Sequence, residues 1–453
     1  MIRPLLLPAF ASLALAGALE GQAGPRREDY TLANGLRVIL GEDHTAPLVT
    51  VNVWYRAGSR YEVPGKTGIA HLFERLMFRG SANVADGRHF DLVSAAGGEP
   101  TATVSEDRST FAETLPSNQL GLGLWLEADR MRSLAITEET FGTQREQSKQ
   151  EREARVDNQP YASAFLDGVT LAFDSASCFS YAHSAMGAPS DLDAIQLSDV
   201  QAFYKQFYVP NRATLVIAGD FDPAEARRLV QGNFGDIGRG PAVTEPTCGT
   251  SYAGKPRANE WPDAVAQLPA VVLAYRVPAH AEADSRALQL LSVVLGQGEG
   301  SRLARHLVQE DKVAVQANAG LESRGGPGLF YAFAIGARGS EPDHIKSDLA
   351  AQVARLGTDL TQAELDRARA QYRTTTTMNR QATAQLADDV QHFALFHTSL
   401  GEMDTDLQGY MALTLADLRR VAVKYLVPAN SLTLTVATGR AEPAGDHAHE
   451  EDE

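Results

Sequence analysis

A short stretch between Gly68 and Ser81, with the sequence GIAHLFERLMFRGS, carries side chains whose types and spacing suit metal chemistry. His71, Glu74 and Arg75 stand at positions i, i+3 and i+4, which are neighbours on one face of a helix. Two imidazoles one turn apart can bind one zinc ion, and a carboxylate between them can deprotonate the bound water. Here the second imidazole is replaced by a guanidinium, which has no lone pair and stays protonated. The stretch therefore has the spacing of an H-x-x-E-H zinc motif with one ligand lost.

The apolar residues of the same stretch predict the helix that positions this motif. They recur at helical spacing and predict a helix over 68–78 whose opposite face carries the polar trio. By itself, H-x-x-E-R on an amphipathic helix is common and does not indicate a site. Around it, β-branched alternation predicts strands at 36–43, 47–58, 101–116 (a strand pair) and 213–221, and apolar spacing predicts helices at 90–98, 117–134, 138–157 and 222–235.

The chain repeats itself. Residues 53–56 (VWYR) are echoed by 273–276 (LAYR), and the Val-Pro pair at 209–210 is echoed at 427–428. The order is the same and the offset is nearly constant, so we interpret the chain as a duplicated domain.

Composition limits the classes of function. The 453 residues are 44% hydrophobic and 22% charged, with a formal net charge of -16. This balance is typical of a globular protein and argues against nucleic acid or an anionic membrane surface as the main partner. No stretch after the N-terminal segment has the length and apolarity of a membrane span.

Composition also divides the chain. We predict a secretory signal peptide (1–23), an N-terminal domain (28–237), a linker rich in Gly, Pro and Thr (238–263), a C-terminal domain (264–440) and an acidic disordered tail (441–453). The signal peptide leads us to expect a periplasmic protein. In that oxidising compartment Cys178 and Cys248 could pair or remain isolated thiols.

Five long stretches match one family: YTLANGLRVILGEDHTAPLVTVNVWYRAGSR, GKTGIAHLFERLMFRGS, ETLPSNQL, VDNQPYA and VPNRATLVIAGDFDPAEA. Together they resemble the pitrilysin/insulinase-type zinc peptidases, or inverzincins, in the two-domain periplasmic bacterial branch. The resemblance spans nearly the whole mature chain. It implies an α+β fold of two duplicated αβ domains, each a mainly antiparallel sheet flanked by helices, forming half of a clam shell.

The resemblance also assigns site positions. The third zinc ligand of the family corresponds to Glu151, and a supporting acid seven positions earlier corresponds to Gln144. It implies an incomplete metal site of His71 and Glu151, with Glu74 in the position of the base and Arg75 in place of the second histidine. Two protein ligands fall short of the three typical of catalytic zinc, so we expect no cofactor. We expect Arg75 to replace the metal and to pair with one or both carboxylates.

The second half lacks another family feature. Many active members place an Arg and a Tyr, seven apart, after a Ser-Arg-Leu segment, which is residues 301–303 here; the two positions are Val308 and Val315. Nearby polar candidates are Arg302, Arg305 and His306. The glycine-rich run 296–300 resembles a loop near the substrate in non-catalytic subunits, and SRGGPG (323–328) predicts a hairpin turn.

Substrate contact is expected at the edge of the first sheet. Residues 101–110 lie where family members add substrate backbone to a sheet edge, so Thr103, Val104 and Ser105 are the candidate substrate-binding residues.

Three hypotheses follow. In the preferred one, the chain is a metal-free, non-catalytic subunit that binds peptides or unfolded polypeptide, as a homo- or heterodimer with an intact paralogue. In the second, it is an active zinc endopeptidase with a replacement ligand such as His89. In the third, it is a binding or assembly scaffold within a larger complex.

Overall fold

The computed structural model describes residues 27–249, 256–397 and 399–438. The predicted signal peptide and acidic tail lie outside these ranges. Within them, no helix has both the length and the apolar character needed to cross a membrane.

The first half folds around a six-stranded sheet. Its strands are β1 (Arg27–Thr31), β2 (Arg37–Glu42), β3 (Leu48–Tyr55), β4 (Glu99–Val104), β5 (Ser109–Pro116) and β6 (Ala213–Gly219). Their order is β1-β2-β6-β3-β5-β4, and every neighbouring pair is antiparallel except β2 and β6. The predicted strands agree with the observed ones to within a few residues at their ends.

The second half builds a five-stranded sheet from β7 (Arg257–Asp263), β8 (Ala270–Val277), β9 (Ala314–Glu322), β10 (Gly328–Gly336) and β11 (Ser431–Thr438). The order β7-β11-β8-β10-β9 repeats the order β2-β6-β3-β5-β4, with the parallel pair at the same place. The predicted turn at 323–328 connects antiparallel β9 and β10. The duplication and the α+β fold class are confirmed.

The predicted linker is wrong at its C-terminal end. Residues 257–263 form β7, which pairs with β11 and is the counterpart of β2. Its sequence, RANEWPD, contains Pro262 and lacks β-branched alternation, so its composition resembles that of a linker. A proline is tolerated here because β7 lies at the edge of its sheet.

Both halves contain helices, most of which cover one face of the sheet of their own half. In the first half they are α1 (Ile69–Leu76), α2 (Arg88–Ala95), α3 (Leu120–Ser133), α4 (Glu138–Arg152), α5 (Ala162–Leu166), α6 (Pro189–Ala194), α7 (Leu197–Phe207) and α8 (Pro223–Phe234). In the second half they are α9 (Ser285–Gly296), α10 (Pro342–Arg355), α11 (Gln362–Asn379), α12 (Thr383–Phe396), α13 (Glu402–Ala412) and α14 (Leu415–Tyr425). The predicted helix 138–157 is α-helical to Arg152 and continues as a π-helical turn.

The second face of the first sheet is covered by α12, which belongs to the second half of the chain. Leu386 and Val390 belong to the same buried cluster as Ile39 of β2 and Val216 of β6. Gln391 of this helix also donates to the backbone oxygens at positions 52 and 214, at 2.9 and 2.8 Å. The first sheet is therefore completed by the other half.

The converse holds for the second sheet. Val169, Phe173 and Tyr181, from a segment of the first half, pack with apolar residues of β8, β10 and β11. Cys178 lies in this segment and forms a disulfide with Cys248, a pairing that the sequence left open. The bond ties the covering segment to the stretch that leads into the second half.

Because α12 covers the first sheet, a cavity in α12 should destabilise that sheet. We expect Leu386→Ala, at a side chain 6% exposed, to lower the free energy of unfolding by about 2–5 kcal/mol. Amide hydrogen exchange in β6 should accelerate with it, and both are measured against Val423→Ala, at a residue 61% exposed on α14. The control should stay within about 0.5 kcal/mol of the natural protein. A loss below about 1 kcal/mol in Leu386→Ala, or unchanged amide hydrogen exchange in β6, would contradict the conclusion that α12 stabilises the first sheet.

Candidate functional site

The candidate site is built on α1, whose N-terminus is fixed by a buried acid. Glu62 accepts hydrogen bonds from the backbone N–H groups of Gly68 and Ala70, each at 2.8 Å. His183 lies 3.2 Å from the same carboxylate. Gly68 has φ +96° and faces the backbone of residues 186 and 187, so only glycine fits without strain. Glu62 thus satisfies helix N–H groups that would otherwise be orphaned.

The predicted apolar stripe of α1 faces the core of the first half. Its members are Ile69, Leu72, Phe73, Leu76 and Met77, all buried. The polar face is therefore turned toward α4, which carries Glu151 and packs beside α1.

The structure brings the four predicted site residues together. His71 lies between two carboxylates, with Nδ1 3.6 Å from Glu74 Oε2 and Nε2 3.5 Å from Glu151 Oε2. Arg75 donates to that same Glu151 oxygen from Nε at 3.2 Å and from Nη2 at 2.9 Å. The other oxygen of Glu151 is paired with Arg155 at 2.8 Å. Of the two carboxylates, Arg75 thus binds the one in the ligand position.

The electrostatics of this cluster favour its charged form. Burial opposes protonation of His71, but the carboxylates of Glu151 and Glu74 outweigh it and raise the pKa of His71 to about 9. His71 and, after it, Arg75 lower the pKa of Glu151 to about 2, against the effect of burial. At neutral pH an imidazolium and a guanidinium therefore supply the two positive charges that a zinc ion would bring.

These residues do not fit a zinc ion. The guanidinium of Arg75 has no lone pair for a metal, and it occupies the Glu151 oxygen that faces His71. Among the described residues, one group of three or more side chains lies close enough together to share a metal ion. That group contains none of His71, Glu74 and Glu151. The site is an ion-pair cluster.

Gln144, in the position of the family's supporting acid, is buried beside the cluster. With its amide oriented to satisfy both polar atoms, its oxygen accepts from Arg79 Nε at 3.0 Å. The neutral amide of Gln144 can accept this hydrogen bond from Arg79 without adding a charge beside the cluster.

A cleft of about 370 Å³ opens beside the cluster. Its walls combine three guanidinium groups, two carboxylates, an amide and apolar groups: Arg75, Arg79, Arg155, Glu74, Glu151, Gln144, Phe78, Phe90, Pro100 and Ala102. The last two belong to β4, the edge strand of the first sheet. The cleft therefore runs along a strand edge.

The predicted substrate-binding residues only partly lie on that edge. Thr103 and Val104 are in β4, whereas Ser105 is in the turn that follows, where its N–H donates to the carbonyl of Arg108 at 2.9 Å. Assigning Ser105 to the edge strand was wrong, because the tight turn to β5 uses its backbone. The cleft meets β4 at Pro100 and Ala102, which sequence reasoning missed.

At positions 308 and 315, and at the cations near them, the second half offers no substitute for the missing Arg and Tyr. Val308 is half-buried and Val315 is 55% exposed on β9. The nearby cations are engaged elsewhere: Arg302 binds Asp359 and Glu364, and both Arg305 and His306 pair with Glu310. The glycine-rich run 296–300 begins at the end of α9, where a Cβ on Gly296 would collide with the backbone of Ala319.

His89, the candidate replacement ligand, is held in a buried network. Its Nε2 lies 2.9 Å from Glu113, which also binds Arg130. Burial, followed by the charge of Arg130, lowers the pKa of His89 to about 3. The side chain is therefore committed to the core behind α1.

Family models match most of the chain: the insulinase model (peptidase family M16) matches residues 37–170, and the M16 inactive-domain model matches residues 194–372. The chain belongs to the pitrilysin/insulinase family, M16. The zinc protease PqqE of Helicobacter pylori is 28% identical over 417 residues, which are 90% of this chain and 92% of that protein.

Two further M16 comparisons agree. The crystal structure of a protease from Helicobacter pylori has a TM-score of 0.86 at 27% identity and covers 91% of this chain and 100% of its own. The probable mitochondrial-processing peptidase subunit beta of Arabidopsis thaliana is 24% identical over 81% of this chain and 70% of that protein.

The charged state of His71 in this M16 chain makes a prediction about pH. Because folding raises the pKa of His71, its charged ring stabilises the fold. This contribution is complete below the ordinary histidine pKa of about 6.5 and is lost as the pH rises through 9. The stability difference between the natural protein and His71→Gln should therefore shrink by on the order of 3 kcal/mol between pH 6 and pH 10. Urea unfolding across that range measures it. A difference that stays flat across this range would contradict the charged state of His71.

Proposed function

We propose that this chain is a non-catalytic M16 subunit with no metal at the α1 site, that it binds peptides or unfolded polypeptide, and that it pairs with an intact zinc endopeptidase of the same family. One observation carries the proposal. The guanidinium of Arg75 is bound to the Glu151 oxygen that faces His71, so the ligand set is closed by an internal ion pair. Glu74, in the position of the base, then has an imidazolium as its neighbour.

Peptide binding is supported by the cleft. The outer edge of β4, which pairs with no strand in the described part of the chain, offers backbone groups to an extended peptide. Phe78 and Phe90 give apolar contact next to it, and three guanidinium groups face two carboxylates. This lining suits an extended segment with apolar and acidic side chains.

Pairing is supported by the missing parts of the chain. It lacks both the second histidine and the Arg/Tyr pair of active members, so any hydrolysis must draw on another subunit. The mitochondrial relative is itself named as a subunit of a processing peptidase. The composition of residues 1–23, which is typical of a secretory signal peptide, supports a periplasmic location for this subunit.

Restoring the histidine tests the loss of the metal. We expect Arg75→His to hold about one more zinc per chain than the natural protein, because it frees Glu151 and adds the third ligand. Elemental analysis of both purified proteins measures the increment. Arg79→His, one turn further along the same cleft, is the matched control and should gain none. Equal zinc contents in the natural protein and Arg75→His would contradict the claim that Arg75 prevents zinc binding at α1.

Filling the cleft tests peptide binding. We expect Ala102→Trp to weaken binding of a fluorescein-labelled unfolded polypeptide at least about tenfold, since the indole fills the cleft that side chains of the peptide would enter. Fluorescence anisotropy gives the affinity. Thr101→Trp is the control, because neighbouring residues of a strand point to opposite faces. Equal affinities of the two variants would place peptide binding elsewhere or exclude it.

A further inference from the structure

Three histidines of the second half converge at a cavity of about 240 Å³ that is separate from the candidate site. His280 lies between β8 and α9, His392 lies in α12, and His397 directly follows α12. His280 Nε2 is 3.0 Å from His392 Nε2 and 3.1 Å from His397 Nε2. Three ring nitrogens thus meet at one point.

Hydrogen bonds alone satisfy this arrangement poorly. His280 Nε2 faces two other Nε2 atoms, yet a neutral ring nitrogen offers either one N–H or one in-plane lone pair. The other ring nitrogen of His280 is buried without a hydrogen-bond partner. A metal ion resolves the conflict, because each Nε2 then directs its lone pair at the ion. Tetrahedral ligands at a Zn–N distance of about 2.0–2.1 Å stand about 3.3 Å apart, within a few tenths of the two distances from His280 Nε2. Ligand atoms of all three histidines lie within 4.8 Å of one another.

The orientation of His397 suits a ligand. Its Nδ1 lies 2.9 Å from a carboxylate oxygen of Glu402, which also accepts from the backbone N–H of Ser399. A histidine that donates from Nδ1 to a carboxylate keeps its lone pair on Nε2, as in carboxylate–histidine–zinc arrangements. The other charged groups around the cavity are largely paired, with Arg286 bound to Asp406 at 2.8 Å and Arg380 bound to Asp389 at 2.9 Å.

The side chains of all three histidines are half-buried at the cavity. Uncharged imidazole is a good ligand for zinc and its neighbours in the first transition row.

We propose that His280, His392 and His397 bind one zinc ion, or a similar divalent transition metal, through their Nε2 atoms. The fourth coordination position faces the cavity, where a water molecule or another small ligand completes the tetrahedron. The ion ties α12 to the segment after β8, while Leu386 and Val390 of the same helix cover the first sheet. The site therefore lies where the second half is fixed onto the first.

Cobalt(II) is the probe for the geometry, because it replaces zinc and reports its coordination by visible absorption. We expect the metal-stripped full chain to bind one Co²⁺ with the intense absorption of a tetrahedral site, and one equivalent of Zn²⁺ to bleach it. Zinc should also raise the Tm by a few degrees, because it binds the folded state. Failure of the natural protein to bind Co²⁺ tetrahedrally overturns the proposal.

Substitutions locate the ion. His280→Ala and His392→Ala should each abolish the tetrahedral spectrum, whereas His71→Ala and a double substitution of His447 and His449 in the C-terminal tail should leave it intact. Glu402→Gln should keep the stoichiometry and weaken the affinity about 10–100-fold, so it tests the site even where a ligand variant fails to fold. Retention of the spectrum in both ligand variants, its loss in the tail variant, or an unchanged affinity in Glu402→Gln would each contradict the proposal.

The same variants separate this site from the lost one on α1. If both proposals hold, the natural chain contains one zinc and Arg75→His contains two. In a His280→Ala background the two counts fall to zero and one. An unchanged count on adding His280→Ala overturns only the three-histidine site, and an unchanged count on adding Arg75→His overturns only the argument about Arg75.

Discussion

Each sheet of this protein has two apolar faces, and its own half of the chain covers only one of them. That constraint determines the architecture. In the first sheet the residue at 39 and those at 216 and 218 point away from the helices of the same half and are covered by α12. In the second sheet, β8, β10 and β11 receive a segment of the first half that contains Val169 and Phe173. Neither half buries its sheet alone, so the duplicated units form one cooperative body and hold α1 and α4 in a fixed relation to the edge of β4.

A second constraint is the charge buried beside α1. Glu151 is almost inaccessible, and a buried carboxylate left without a partner costs about 3–5 kcal/mol. In a zinc enzyme the metal supplies the compensating charge; here a protonated His71 and the guanidinium of Arg75 supply it. With Arg75 present, His71 and Glu151 belong to an ion-pair cluster that balances the buried charge by itself. Their presence in the chain is therefore weak support for activity.

Periodicity and repeats in the sequence predicted the duplication, most strands and α1, because these are mostly local signals. The relation of α1 to Glu151 was implied by the family resemblance. The features that were missed depend on contacts between distant residues. β7 has the composition of a linker and is a strand only because β11 pairs with it. Glu62 fixes the N-terminus of α1 through contacts that no motif in the sequence indicates. Ser105 was assigned to a strand because alternation does not reveal where a tight turn begins. The three histidines were missed because their contact joins distant residues: His280 is 112 residues from His392, and His397 lies beyond the end of α12.

The duplication also shows that the three-histidine cluster is not a second copy of the α1 motif. By the correspondence of strands, α9 follows β8 as α1 follows β3. The sequence of α9, SRALQLLSVVLG, carries no histidine or acid, and most of its surface is buried. The cluster instead joins a residue before α9 to two residues at the end of α12, the helix that covers the opposite sheet. Its position follows from the way the halves hold each other. A metal there would stabilise the contact between the halves and would not repeat the arrangement of residues on α1.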